Sequence, residues 1–115
     1  MVERELKVTV ELAAGSADSR PRLKVSGEVD IQTSPVLDEQ LQKVLDQGLS
    51  SIVVDLGEVT FLDSTGLSVL IAALKRCQGA GGDLRLVSPR PNVRRVLEIT
   101  GLTETFHVGG GDEQT

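Results

Sequence analysis

Ser51-Ile52-Val53-Val54-Asp55-Leu56 leads through Gly57-Glu58-Val59-Thr60 into Phe61-Leu62-Asp63-Ser64-Thr65-Gly66-Leu67, and how this run is read decides the fold. The first six residues are mostly apolar and rich in β-branched side chains, which predicts a buried strand over Ile52 to Leu56. Further on, Leu67, Leu70, Ile71 and Leu74 recur at i, i+3, i+4 and i+7, the spacing of one helix face. A strand therefore hands over to a helix start at Asp63-Ser64-Thr65-Gly66. Val59, Phe61 and Leu62, placed in the connecting loop, are expected to anchor it to the core. N–H groups in the first turn of a helix are unpaired and the dipole there is positive, so the spot tolerates an anion.

Outward from this run, the chain reads as alternating strands and helices. Leu6, Val8, Val10 and Leu12 alternate with Lys7, Thr9 and Glu11, the period of a half-buried strand. Ala13 to Pro21 is rich in turn residues. Leu23 and Val25 mark a second strand, ended by Gly27 and expected to pair antiparallel with the first. Gly27 to Thr33 reads as the loop out of it. Ser34-Pro35 opens a helix with serine as N-cap and proline at the first helical position, Leu37, Leu41, Val44 and Leu45 as its buried stripe, and Gly48 as its stop.

The second helix runs from about Ser64 to Gln78 and gives way to Gly79-Ala80-Gly81-Gly82, read as a flexible connection. Leu84, Leu86 and Val87 form a short strand stopped by Ser88-Pro89. A third helix follows Pro91-Asn92, with Val93, Val96, Leu97 and Thr100 inward and Gly101 as its stop. Phe106 and Val108 suit a short edge strand. The order β β α β α β α predicts a single α/β domain with a mixed sheet of about four to five strands. Its helices pack mainly on one face. The domain is expected over residues 1–110, with 111–115 a disordered tail.

At 115 residues the chain suits one core. Phe61 and Phe106 are its only aromatic residues, so platforms for stacking bases are lacking. A net charge of −5 argues against nucleic-acid and anionic-membrane partners. No stretch has the length and apolarity of a membrane span, and MVERELKV has no signal-peptide pattern. The single Cys77 allows no internal disulfide and reads as packing. A soluble cytoplasmic protein is expected.

Helix capping alone accounts for Asp63-Ser64-Thr65-Gly66. The functional alternative makes Ser64 a phosphate acceptor, gaining about −1.5 to −2 charges that the helix dipole favours and Asp63 opposes. A nucleophilic serine needs a base, and the only histidine is His107. No Gly-x-Ser-x-Gly elbow surrounds Ser64, so a hydrolase is disfavoured. Gly79 to Gly82 follows a helix and precedes no Lys-Ser/Thr pair, unlike a phosphate-binding loop. Arg90, Arg94 and Arg95 form a small basic patch, read as solvated, with an acidic partner as the alternative. Glu28 and Asp30 present acids in a loop near a helix start, where solvated turn charge is the plain reading.

Taken together, these segments resemble the STAS domain family and, within it, the bacterial anti-sigma factor antagonists. Gly27-Glu28-Val29-Asp30 resembles the family's Gly-Glu-Leu/Ile-Asp turn before the Pro35 helix start. Val53-Val54-Asp55-Leu56 and Phe61-Leu62-Asp63-Ser64-Thr65-Gly66-Leu67 resemble its strand and phosphorylation loop. Gly81-Gly82 with Leu84 to Val87, Val93 to Leu97 and Thr100-Gly101-Leu102 resemble its later strand and helix. The likeness runs from about Leu6 to Val108. Ser68 departs from the family, many of whose members carry glycine there, and the connection from Ala14 to Arg20 is longer than in compact members.

The resemblance implies a partner switch in transcription control, under stress or in sporulation. The unphosphorylated chain binds a serine-kinase anti-sigma factor and frees a sigma factor. The kinase phosphorylates Ser64, ahead of Thr65, to release it, and a PP2C-type phosphatase resets it. Asp30, Asp63, Ser64, Thr65, Gly66, Leu67 and Ser68 are the implied partner-binding residues. ATP and Mg²⁺ belong to the kinase, so this chain is a non-enzyme without a cofactor of its own, expected to be monomeric when free. The rival on the same fold is a scaffold or transporter-associated module without the phosphate cycle.

Overall fold

The computed structural model describes residues 6–12, 20–106 and 108. Their order is β1 (Lys7–Leu12), β2 (Pro21–Val29), α1 (Ser34–Asp46), β3 (Ser51–Leu62), α2 (Ser64–Gly79), β4 (Asp83–Val87), α3 (Pro91–Ile99) and the one-turn α4 (Leu102–Thr105). The sheet order is β1-β2-β3-β4, with β1 antiparallel to β2 and both β2/β3 and β3/β4 parallel. Each parallel pair is joined by a helical crossover, as parallel strands require. The mixed α/β sheet expected from the sequence is the one observed.

Alternation sorts the sheet into two faces. Leu23, Val25, Ile52, Val54, Leu56, Leu84 and Leu86 are buried on one, beneath the helices. Arg22, Lys24, Asp55 and Arg85 lie on the other, where Arg22 Nη2 meets Asp55 Oδ2 at 3.1 Å. Val53, on this polar face, stands between Arg22 and Arg85 in the register and is only 7% exposed. Long arginine stems shield such a side chain from water. Leu37, Leu41, Val44 and Leu45 of α1 and Leu67, Leu70 and Leu74 of α2 fill the helical side of the core, as their spacing predicts.

Four local expectations are corrected. First, β3 does not stop at Leu56 but continues to Leu62, and β2 continues to Val29. Lys24 pairs with Asp55 but Ser26 with Glu58, and Gly27 pairs with Val59 but Glu28 with Phe61. β3 thus carries an extra residue at two points. Each bulge shifts the inward phase by one residue, so Leu56, Val59 and Leu62 all point to the core while Phe61 is turned outward. The Asp55 carboxylate caps the first bulge by accepting from Gly57 N at 2.9 Å, and Gly27, paired with Val59 where the second bulge begins, adopts φ 120°.

Second, the residue at the N-cap of α1 is Thr33, with Ser34 and Pro35 inside the first turn. Third, the glycine run is not all connection: Gly79 is the last residue of α2, and Gly82 is packed, its N donating to Cys77 O at 2.8 Å and a Cβ on it lying 2.0 Å from the Ser50 carbonyl oxygen. Fourth, Phe106 and Val108 form no strand; Phe106 follows α4 and is fully buried. In α3, Val93 and Leu97 are buried, Val96 is half-buried and Thr100 is exposed.

Among the described residues, the far half of β3 has no strand beyond it on the β4 side. Instead Arg90 Nε donates to Gly57 O at 3.0 Å and Asn92 Nδ2 to Thr60 O at 2.9 Å. Side chains from the start of α3 thus occupy carbonyls that a neighbouring strand would take. The expected tail, His107 and the connection at 13–19 lie outside the described residues.

Candidate functional site

Parallel pairing of β2 and β3 brings their carboxyl ends to one edge of the sheet, where ligand sites of open α/β sheets form. Val29 pairs with Leu62, so the next residues, Asp30 and Asp63, emerge side by side. Asp63 N donates to Val29 O at 3.2 Å and closes the two ends together.

Each aspartate organises the turn that follows it. Asp30 is 5% exposed, and its Oδ1 accepts from Gln32 N at 3.0 Å and Thr33 N at 3.1 Å. The buried Thr33 hydroxyl accepts from Asp30 N at 2.9 Å and donates to Glu28 O at 2.6 Å. Asp63 is the N-cap of α2; its Oδ1 accepts from Thr65 N at 2.9 Å, from Gly66 N at 3.3 Å and from the Thr65 hydroxyl. Two of the four orphan amides of the helix are thereby satisfied.

Between these fixed points stands Ser64, the first residue of α2 and exposed. Among the described residues none hydrogen-bonds its hydroxyl. Ser68, one turn along and on the same side, is also exposed. Thr65 is half-buried with its hydroxyl turned to Asp63.

Gly66 and Leu67 are buried, so they shape the site from beneath rather than standing at its surface. A Cβ on Gly66 would lie 2.6 Å from both Leu62 Cδ1 and Val29 Cγ1, so glycine lets the start of α2 press onto the ends of β2 and β3. All seven residues expected at the site fall at this edge or on the first turns of α2. They divide into a presented set, Ser64 and Ser68, and a supporting set.

The sequence reading missed an apolar component. A shallow groove beside Ser64 is lined by Glu28, Asp30, Ile31, Thr60, Phe61 and Asp63. Ile31 is 76% exposed and Phe61 45% exposed. The available signal was an isoleucine in the otherwise polar turn from Asp30 to Thr33.

Other candidates take structural places. Cys77 is buried, and burial pushes its thiol pKa up; the charge of Asp83 adds to the rise and Arg76 opposes it. A protonated, enclosed thiol is unreactive. Arg90 lies 3.7 Å from Glu58 besides its bond to Gly57. Among the described residues no group of three or more metal-ligating side chains comes together, and no helix is long and apolar enough to cross a membrane.

Comparison with known proteins places this architecture. A family profile described as Mlab, STAS domain, matches residues 12–108, and the chain belongs to the STAS domain family. An anti-sigma-B factor antagonist of Staphylococcus aureus is 32% identical over 106 residues, covering 92% of this chain and 98% of that protein. The crystal structure of an anti-sigma factor antagonist from Mycobacterium paratuberculosis is 31% identical with a TM-score of 0.79, covering 91% and 86% of the two chains. SpoIIAA shares the fold at 18% identity, its unphosphorylated form with a TM-score of 0.76 and coverage of 93% and 90%, its phosphorylated form with 0.71 and 93% of each.

Proposed function

We propose that the chain is an anti-sigma factor antagonist that works as a phosphate-controlled binding module. Its relatives of similar length carry that name, and the single observation that carries the switch is the placing of Ser64. The hydroxyl is exposed at the head of α2, while the turn around it is held by Asp63, Thr65 and Gly66 without its help. Ser64 can therefore change chemically without unmaking the site.

In this reading the unmodified chain binds a serine-kinase anti-sigma factor and frees the sigma factor. The kinase, with its own ATP and Mg²⁺, transfers a phosphate to Ser64, and a PP2C-type phosphatase removes it. The chain is a substrate and ligand rather than an enzyme, needs no cofactor of its own, and acts as a cytoplasmic monomer when free. SpoIIAA, of the same fold, exists in phosphorylated and unphosphorylated forms.

Release follows from local charge. A phosphate on Ser64 brings about −1.5 to −2 charges to a helix start whose amides at Thr65 and Gly66 are already held by Asp63. It must either displace that carboxylate or face outward, still charged, into the interface. There it adds to the negative charge of Asp63 and loses its own hydration. No change of fold is required.

The test is incubation with ATP and the serine-kinase anti-sigma factors of the same organism, followed by intact mass and site mapping. One phosphate on Ser64 supports the reading. A folded protein that none of them modifies contradicts it and favours a scaffold role.

A further inference from the structure

We propose that the outer edge of β1 pairs with the same edge of a second copy of this chain, antiparallel and centred on Thr9. The inference uses no residue of the Ser64 edge and does not depend on the phosphate.

β1 ends the sheet order β1-β2-β3-β4, and among the described residues no strand lies beyond it. An edge of this kind presents unpaired N–H and C=O groups to whatever strand approaches. Its apolar side is unfinished as well. Val10 is 41% exposed, while Leu23, opposite it on β2, is fully buried. A strand laid along β1 would cover Val10.

The sequence of β1 fits itself. A two-fold axis perpendicular to the sheet keeps both sets of helices on one side and closes the pair. Directly opposed side chains share a face, so such an axis sets odd-numbered residues against odd and even against even. Centred on Thr9, it brings Lys7 against Glu11 of the second copy, twice by symmetry, and Val8 against Val10 of the second copy. Centred on Val8, Lys7 would meet Thr9; centred on Val10, Glu11 would meet Thr9. Only the Thr9 register matches the charges. Within the chain Lys7 is opposite Ser26, and Glu11 is opposite Arg22, whose guanidinium is bonded to Asp55 at 3.1 Å. A lysine on an edge strand discourages pairing, and a glutamate brought opposite removes that deterrent.

The pairing leaves the Ser64 edge free. Because β1 and β2 are antiparallel, Lys7 lies beside Ser26, toward Asp30 and Asp63, and Leu12 lies beside Pro21 at the far end. In the pair the two Ser64 edges therefore point in opposite directions and both stay open. Contact along one short strand is small by the standard of stable dimers, so the dilute chain stays monomeric and pairs as its concentration rises. The paired form is a two-headed ligand, with added avidity for a partner that presents two binding sites.

The experiment is sedimentation equilibrium of the full chain from about 1 µM to about 1 mM, the range suited to so small an interface. The variants are Lys7→Glu, Glu11→Lys and the double exchange, each checked for folding by circular dichroism. The wild type should pass from monomer to dimer. Either single reversal sets like charges against each other twice and should weaken pairing by about tenfold. The double exchange should restore it, and so should mixing the two single variants, whose strands complement each other. A wild-type chain still monomeric at about 1 mM overturns the proposal. A dimer that the single reversals leave unchanged, or that the double exchange does not restore, overturns this edge and register. None of these results touches the phosphate switch, which incubation with the kinases tests separately.

Discussion

The Thr65 hydroxyl and the Thr65 amide both donate to Asp63 Oδ1, the amide at 2.9 Å, so the residue after Ser64 is tied back to the residue before it. Ser64 is left as the outward hydroxyl of the pair. Thr65→Ala is expected to lower stability by about 1 kcal/mol through the lost side-chain bond. Ser64→Ala should stay within about 0.5 kcal/mol of wild type, as an exposed change does. Urea unfolding of the two variants checks this. A larger loss for Ser64→Ala than for Thr65→Ala would mean that the serine is the structural member.

Glycine has opposite meanings at the two ends of α2. A methyl group on Gly66 meets Leu62 and Val29 at 2.6 Å, so Gly66→Ala is expected to destabilise by about 1–3 kcal/mol. At Gly79 no atom lies within 4 Å of an added Cβ, and alanine there should stabilise by up to about 1 kcal/mol. Thermal melts of both variants give the sign directly. Similar effects at the two positions would contradict the close approach of α2 to the strand ends.

The helices and the apolar side of the sheet were legible because periodicity reports burial directly: Leu37, Leu41, Val44 and Leu45 fall where a period of 3.6 puts them. The position of Ser64 was legible because a strand and a helix meet only a residue away from it. The second half of β3 was not. Gly57 and Glu58 interrupt the apolar run and read as its end, whereas the structure uses them as a bulge that preserves pairing with β2. Because each bulge moves the phase, no fixed period could sort Val59, Phe61 and Leu62 into inward and outward. The outward turn of Phe61, and with it the groove, follows from that phase shift. Phe106 was misjudged for another reason: four residues of α4 are too few to show a helical period.

Asp30 and Asp63 hold their turns in the same way but at different depths. Asp63→Ala removes an N-cap and should cost about 1 kcal/mol, while Asp63→Asn, which can still accept from Thr65 N and Gly66 N, recovers much of it. Asp30→Ala leaves the buried donor at Thr33 and the part-buried one at Gln32 without their acceptor and should cost about 1–3 kcal/mol. Chemical denaturation of the three variants ranks them. A stable Asp30→Ala protein would show that the turn does not depend on this carboxylate.

Cys77 supplies a pH dependence. Burial, aided by the charge of Asp83 and opposed by Arg76, raises its pKa above the usual thiol value of 9.0. The folded state therefore keeps a proton that the unfolded state gives up first. Its contribution is complete below the unfolded thiol pKa and is lost as pH rises toward the folded one. Stability should decline above about pH 9 more steeply in wild type than in Cys77→Ala, and a thiol reagent at neutral pH should label the protein only on unfolding. Rapid labelling of the native protein would contradict the enclosed thiol.

The central claim is that a phosphate on Ser64 weakens partner binding without changing the fold. Its most direct measurement is the affinity of one preparation for the serine-kinase anti-sigma factor before and after stoichiometric phosphorylation of Ser64, with circular dichroism recorded on both forms. The account predicts superimposable spectra and binding weaker by about tenfold or more, a difference of about 1.4 kcal/mol at least. Equal affinity of the two forms, or release accompanied by loss of structure, would contradict it.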